Sequence, residues 1–243
     1  MEEIKVNGIV LSTIDYGEKD ALVSLFTVEL GKISVKMKGV KGDKAKFKYA
    51  CQPFCFGEWV CARRGDYYTV ISFTLIDNFY ELTLDYNKYV ICNTYLEMCD
   101  KFLKPNIISE KLFINLLTAL KLTVYQDINP YLVAVKFCLE TITIMGYGLT
   151  FGNCFSCGMP IKSDIYLSAI TNDFSCVPCC NRNGQLVSRE LYNTLKILSQ
   201  TPFEKLNTIN ISESTIKRSL LLLETDFENL VGVKLVSFSK IEF

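Results

Sequence analysis

Four cysteines stand in two pairs, Cys154-Phe-Ser-Cys157 and Cys176-Val-Pro-Cys179, with eighteen residues between the pairs. The spacing C-x2-C-x18-C-x2-C is that of a tetrathiolate metal site. One Cys-x-x-Cys turn aims two sulfurs at a point, and a second closes a tetrahedral shell around an ion such as Zn²⁺. Four sulfurs leave no position open for water or substrate, so the expected chemistry is structural rather than catalytic. Gly158, just past the first pair, tolerates φ > 0 and lets backbone amides turn toward the sulfurs. Two alternatives compete with zinc. A redox Cys-x-x-Cys would stand alone beside a βαβ pattern, and an iron–sulfur cluster takes four thiolates in tighter or different groupings. Cys180 follows Cys179 directly, and either could supply the fourth sulfur; the two-residue spacing favours Cys179.

Little else in the chain is equipped for chemistry. Histidine is absent, which removes Ser-His-Asp and Cys-His catalysis and histidine metal ligands. The nearest glycine-lysine segment, Gly39 to Lys44, has the wrong spacing for a phosphate-cradling loop, and no dinucleotide fingerprint occurs. Asp15, Glu18, Asp20 and Glu29 could in principle hold Mg²⁺, but they read as turn residues. The chain is therefore expected not to be an enzyme. The other cysteines (Cys51, Cys55, Cys61, Cys92, Cys99, Cys138) lie in apolar segments and read as small buried hydrophobes. An odd total of 11 cysteines, a thiolate motif and a charged, strand-like start in place of a targeting segment point to a reducing, cytoplasmic setting. No apolar run is long enough to span a membrane.

The elements that must hold these residues fall into two kinds. Residues 1–80 read as short strands: Ile9 to Leu11, Ala21 to Phe26, Lys32 to Lys38, Pro53 to Arg63 and Tyr67 to Ile76. Gly31 and the Arg64-Gly65-Asp66 hinge turn the chain between them, and Gly57 marks a bulge or bend. Within the third strand Ile33, Val35 and Met37 face one way and Lys32, Ser34, Lys36 and Lys38 the other. Five short strands suit a small closed Greek-key barrel of the OB type, whose closure removes exposed edges. From residue 81 the period turns helical. Helices are expected over Tyr86–Leu103, Glu110–Tyr125 (capped by Ser109), Pro130–Met145 (capped by Asn129), Glu190–Leu198 (capped by Ser188) and Glu213–Leu230 (capped by Ser212). The fold class is thus α+β and multidomain: an OB-fold barrel (1–80), then a helical domain in two parts (81–153 and 183–243) into which the four-cysteine zinc module (154–182) is inserted.

Lys+Arg equals Asp+Glu at 26 each, so global charge argues for no polyanion. Local charge does. Lys32, Lys36, Lys38, Lys41, Lys44, Lys46 and Lys48 are met by one acid, Asp43. Phe47 and Tyr49 lie among them, and Arg63 and Arg64 end the next strand. Cations that follow phosphates and rings that stack on bases are the physics of single-strand binding on a barrel face. The plainer reading of such a run is a solvated loop.

The order of parts resembles the RecO family of bacterial recombination mediators. The resemblance is carried by Gly8 to Asp20, Leu25 to Ile33, Lys38-Gly39-Val40, Gln52-Pro53-Phe54, Leu112-Phe113 to Leu120, and Met145-Gly146-Tyr147-Gly148 just before the first cysteine pair. It implies a non-enzymatic mediator of the RecF pathway. Such a protein binds single- and double-stranded DNA, anneals strands, associates with RecR, contacts the single-stranded-DNA-binding protein SSB and helps load RecA on SSB-coated DNA. It implies a cytoplasmic, nucleoid-associated location and an architectural zinc. The competing reading is a zinc-stabilised protein-interaction adaptor with no direct DNA role.

Overall fold

The computed structural model describes residues 2–42, 45, 47–161, 165–168, 172–180 and 184–241. The chain divides into two compact units, residues 1–117 and 118–243.

The first unit is built on a closed barrel of five strands, β1 (Glu2–Tyr16), β2 (Asp20–Thr27), β3 (Gly31–Met37), β4 (Phe56–Arg64) and β5 (Tyr67–Asp77), in the order β1-β2-β3-β5-β4. All pairings are antiparallel except β3 with β5, which run parallel at Val35↔Tyr68 and Lys36↔Thr69. This is the order of an OB barrel, as the strand pattern implied. β1 is longer than its apolar run suggests, because Glu2, Glu3 and Lys5 alternate with Ile4 and Val6 and pair along β4. Inward residues of every strand meet in one core: Val6, Val10, Val23, Leu25, Ile33, Val35, Met37, Trp59, Cys61, Tyr68 and Phe73. Trp59 is fully buried, its indole N–H donates to Gly8 O at 3.0 Å, and its ring lies 4.2 Å from that of Phe73. The ladder slips between Phe56 and Gly57, the irregularity expected at this glycine.

Helix α1 (Tyr86–Phe102) belongs to the barrel's unit, and the division falls within α2 (Glu110–Tyr125). Asp85 caps α1 by accepting from Lys88 N at 3.0 Å. From α1, the Asp100 carboxylate accepts from Ser24 Oγ at 2.8 Å, and its backbone carbonyl accepts from Lys32 Nζ. Phe113 of α2 sets its ring edge against Phe26 at 5.1 Å.

The second unit holds α3 (Pro130–Ile144), α4 (Arg189–Gln200) and α5 (Glu213–Val231), which pack on one another. Asn129, Ser188 and Ser212 cap them through side-chain oxygens, as their positions in the sequence imply. α3 is apolar nearly all round and buried to match. Between α3 and α4 the chain forms a small antiparallel sheet, ordered β7-β6-β8, from β6 (Ile165–Ser168), β7 (Phe174–Cys176) and β8 (Gly184–Val187). This sheet has no signature in the sequence, since its strands span only three or four residues each. No helix among the described residues is long and apolar enough to cross a membrane.

Gly57 tests the barrel directly. A Cβ there would stand 2.3 Å from Thr74 O and 2.5 Å from the Phe73 ring. Gly57→Ala should lose roughly 2–3 kcal/mol, because the backbone cannot yield, whereas Gly42→Ala, with its nearest atom at 3.7 Å, should be near neutral. Urea unfolding followed by the fluorescence of Trp59, the only tryptophan, measures both. Equal stability of the two variants would contradict the packing.

Candidate metal centre and nucleic-acid interface

The sulfurs of Cys154, Cys157, Cys176 and Cys179 all lie within 4.8 Å of one another. Cys157 Sγ and Cys176 Sγ are 3.9 Å apart; thiolates in a tetrahedral zinc shell stand roughly 3.8 Å apart. The first pair sits on a tight turn in which Gly158 N donates to Cys154 O at 2.9 Å and Cys154 N donates to Met159 O at 2.8 Å. Gly158 adopts φ 71°, as its place in the motif required. The second pair spans the end of β7 and a single 3-10 turn, Val177–Cys179. Cys179 completes the set and Cys180 is outside it.

The thiols are electrically uneven. Burial opposes ionisation of Cys154, but backbone N–H groups of Cys176, Cys157 and Ser156 outweigh it and bring the thiol down to about 6. The neighbouring Cys176 and Cys157 thiols push Cys179 up to about 12. The Cys154 thiolate forms readily; Cys176 and Cys179 resist until a cation shares the charge. Four converging sulfur donors with that imbalance fit a soft divalent ion.

The module is fastened to the helices beside it. Phe174 of β7 packs edge-on against Tyr192 of α4 at 4.8 Å and tilted against Phe151 at 5.4 Å. Tyr192 Oη accepts from Gly152 N at 2.8 Å. On the β6–β7 turn, buried Asn172 (φ 54°) donates from Nδ2 to Asp226 Oδ2 of α5 at 2.8 Å and to Tyr147 O at 3.0 Å. No local pattern signals this tie, because its partners are 54 residues apart. Burial pushes the Asp226 carboxyl up to about 6, with Asn172 pulling weakly the other way.

The candidate phosphate-binding cations do not form one uniform patch. Lys32 lies six residues before Lys38, roughly 20 Å along the strand, and is half-buried with its ammonium on Asp100 of α1. Lys36, Lys38 and Lys41 gather where β3 leaves the barrel beside the β1–β2 turn. Lys36 Nζ lies 2.9 Å from Asp20 Oδ2, and Lys41 Nζ lies 3.0 Å from Asp15 Oδ1. The Gly39 N–H and then the Lys36 ammonium hold the Asp20 carboxyl below its usual range. Lys38 and Lys48 are exposed and make no ion pair with another described residue. Lys41 and Lys48 line one open groove with Thr13, Asp15 and Gln52, about 470 Å³ in volume. Lys44 and Lys46 lie outside the described residues. Arg63 and Arg64 are exposed on β4, two strand spacings (about 10 Å) across the sheet from β3. Arg63 also donates from Nε to Gly65 O and lies over the Tyr68 ring. Of the two rings named from the sequence, Phe47 packs on the barrel core and Tyr49 is half exposed. Tyr16 and Tyr67, at 50% and 82% exposure, are further exposed rings that sequence reasoning missed. Tyr67 alternates with core Tyr68, which was a usable signal; Tyr16 shares the parity of core Val6 and Val10 and reaches the outer face only through the register shift between Val10 and Ser12.

Two family models match the chain, "Recombination protein O N terminal" over residues 1–79 and "Recombination protein O C terminal" over residues 83–237. The DNA repair protein RecO of Clostridium novyi is 31% identical over 208 residues, covering 86% of this chain and 81% of its own length. That of Clostridium acetobutylicum is 27% identical over 241 residues, covering 99% and 95%. That of Acetivibrio thermocellus is 26% identical over 218 residues, covering 89% and 87%.

Burial of the Asp226 carboxyl should make stability depend on pH. An aspartate ionises near 3.9 in an unfolded chain and Asp226 near about 6 in the fold. The folded state therefore holds the proton more tightly. Its contribution is full below about pH 4 and is lost as pH rises through 6. Asp226→Asn should gain on the parent by roughly 2 kcal/mol between pH 4.5 and pH 8, read from urea unfolding at the two pH values. A stability difference that does not change with pH would contradict the buried carboxyl.

Proposed function

Because the chain belongs to the recombination protein O (RecO) family, we propose that it is a non-enzymatic DNA-binding mediator of recombinational DNA repair. One observation carries the DNA-binding half of this reading. At one end of a closed five-stranded barrel stand Lys36, Lys38, Lys41 and Lys48, with Tyr16 and Tyr49 exposed. Ammonium groups on backbone phosphates carry little base information, so binding is expected to be independent of sequence. Lys38, Lys41 and Lys48 are the leading phosphate contacts. Lys36 and the pair Arg63 and Arg64 extend the track, and Lys44 and Lys46 are assigned to it from the sequence.

The finer parts of the reading follow from the family. The protein binds both single- and double-stranded DNA, anneals complementary strands, associates with RecR and SSB, and helps load RecA on SSB-coated DNA, in the cytoplasm at the nucleoid. Zn²⁺ is the ion assigned to Cys154, Cys157, Cys176 and Cys179. When bound it supplies charge neutralisation and a rigid cross-link rather than a reactive centre, since all four positions are sulfur. A protein-docking role beside DNA binding is favoured by exposed Ile71, Leu75, Ile76, Tyr80 and Leu84, which follow closely along the chain.

Fluorescence anisotropy with a labelled single strand tests the reading. Affinity should fall with log[salt] at a slope near −0.7 per phosphate contacted. Lys38→Glu/Lys48→Glu should weaken binding about ten-fold or more at low salt. Affinity indifferent to both salt and the double change would contradict it. Elemental analysis should find about one zinc per chain, and Cys176→Ser should lower stability more than it lowers DNA affinity. Loss of DNA affinity with an intact fold would instead place the module in the binding surface.

A further inference from the structure

Two of the lysines assigned to phosphate are already engaged with carboxylates, and one of those carboxylates, Asp20, is also anchored by a backbone donor. Asp20 opens β2, and its Oδ1 accepts from Gly39 N at 2.9 Å while its Oδ2 meets Lys36 Nζ at 2.9 Å. Asp15, near the end of β1, meets Lys41 Nζ at 3.0 Å, and that ammonium also donates to Gly17 O at 3.1 Å. Lys41 N donates to Lys19 O at 3.2 Å. The β1–β2 turn is thereby laced to the segment that leaves β3. Tyr16 joins the arrangement, its ring centroid 4.6 Å from Lys36 Nζ.

We propose that Asp15 and Asp20 are built-in competitors for the nucleic-acid backbone. Each presents carboxylate oxygens where phosphate oxygens would bind, so a single strand must displace them to reach Lys36 and Lys41. The inference rests on the DNA-binding reading above. Carboxylate and phosphate compete for the same ammonium donors. An exposed pair such as Asp15–Lys41, whose carboxylate is 85% exposed, is weak, within about a five-fold change in an equilibrium constant. Asp20 is 25% exposed and anchored by a backbone donor, so it is the stronger competitor. A lone phosphate gains little by the exchange. A strand offering phosphates in a row also engages Lys38 and Lys48, which make no ion pair with another described residue. The turn therefore selects for continuous polyanion over scattered anions. It also blunts salt dependence, because a lysine that leaves a carboxylate for a phosphate frees an acid that regathers cations from solution.

The test is anisotropy with labelled oligothymidylate across a salt series, using the parent chain, Asp15→Asn/Asp20→Asn, Asp20→Asn in a Lys36→Gln background, and Glu58→Gln. Asparagine at position 20 keeps an oxygen for Gly39 N–H. Glu58 pairs with Lys5 at 2.7 Å on β4 and β1, and its loss removes one charge away from the lysine segment. The double aspartate variant should bind about ten-fold tighter at low salt, with a slope steeper by up to about 1.4. Glu58→Gln should change affinity less than about two-fold, and Asp20→Asn should gain nothing once Lys36 is gone. If the parent binds and the double variant binds no tighter, or Glu58→Gln gains as much, the competitor assignment is overturned and DNA binding by the barrel stands. If no variant shows salt-sensitive binding, the DNA-binding reading itself falls.

Discussion

Closure of the barrel depends on a short parallel pairing, Val35 with Tyr68 and Lys36 with Thr69. With β5 in that place, the chain cannot fold back on β3 as a hairpin. It must cross the end of the barrel to reach β4 on the far side, since parallel neighbours require a crossover. The crossing segment plugs the barrel with Val40, Ala50, Cys51 and Cys55, all buried. Lys38 and Lys48 are consequently left exposed, and Lys41 and Lys48 line one groove. The concentration of charge is thus a product of topology: the segment that closes the core is the one that carries the cations.

Each half of the molecule meets an electrostatic problem with a different counter-charge. In the first unit, ammonium groups gathered around the end of β3 are met by Asp15 and Asp20 from the adjoining turn, and Lys32 is met by Asp100 of α1. These pairs are at least partly exposed and exchangeable, which suits a surface that must hand its cations to another anion. In the second unit, four sulfurs crowd within 4.8 Å, with one thiol drawn down to about 6 and another pushed up to about 12. There the fitting counter-charge is a cation, and aromatic ring contacts and the Asn172–Asp226 tie fasten the cradle to the helices beside it.

Most of this was legible in the sequence where the signal was local. The alternation Ile33-Ser34-Val35-Lys36-Met37 reported a half-buried strand, Asn129-Pro130 and Ser212 reported helix starts, and the two Cys-x-x-Cys turns reported a converging set of thiols. What was not legible was long-range. Nothing near Lys32 announces Asp100, and nothing near Asp226 announces Asn172, because pairing across 68 or 54 residues follows from topology alone. The lysine run read as uniform because the sequence counts charges without showing which acids face them. The three-stranded sheet of the cysteine module was hidden for another reason: strands this short hold no period to detect.

The central claim, that the segment leaving β3 grips the nucleic-acid backbone, is tested most directly by amine-reactive footprinting read by mass spectrometry, with and without a single-stranded oligonucleotide. The account predicts protection of Lys38, Lys41 and Lys48 on binding, with Lys101 and Lys217 unchanged. Protection confined to lysines outside the barrel, with Lys38 and Lys48 fully reactive in the complex, would contradict it.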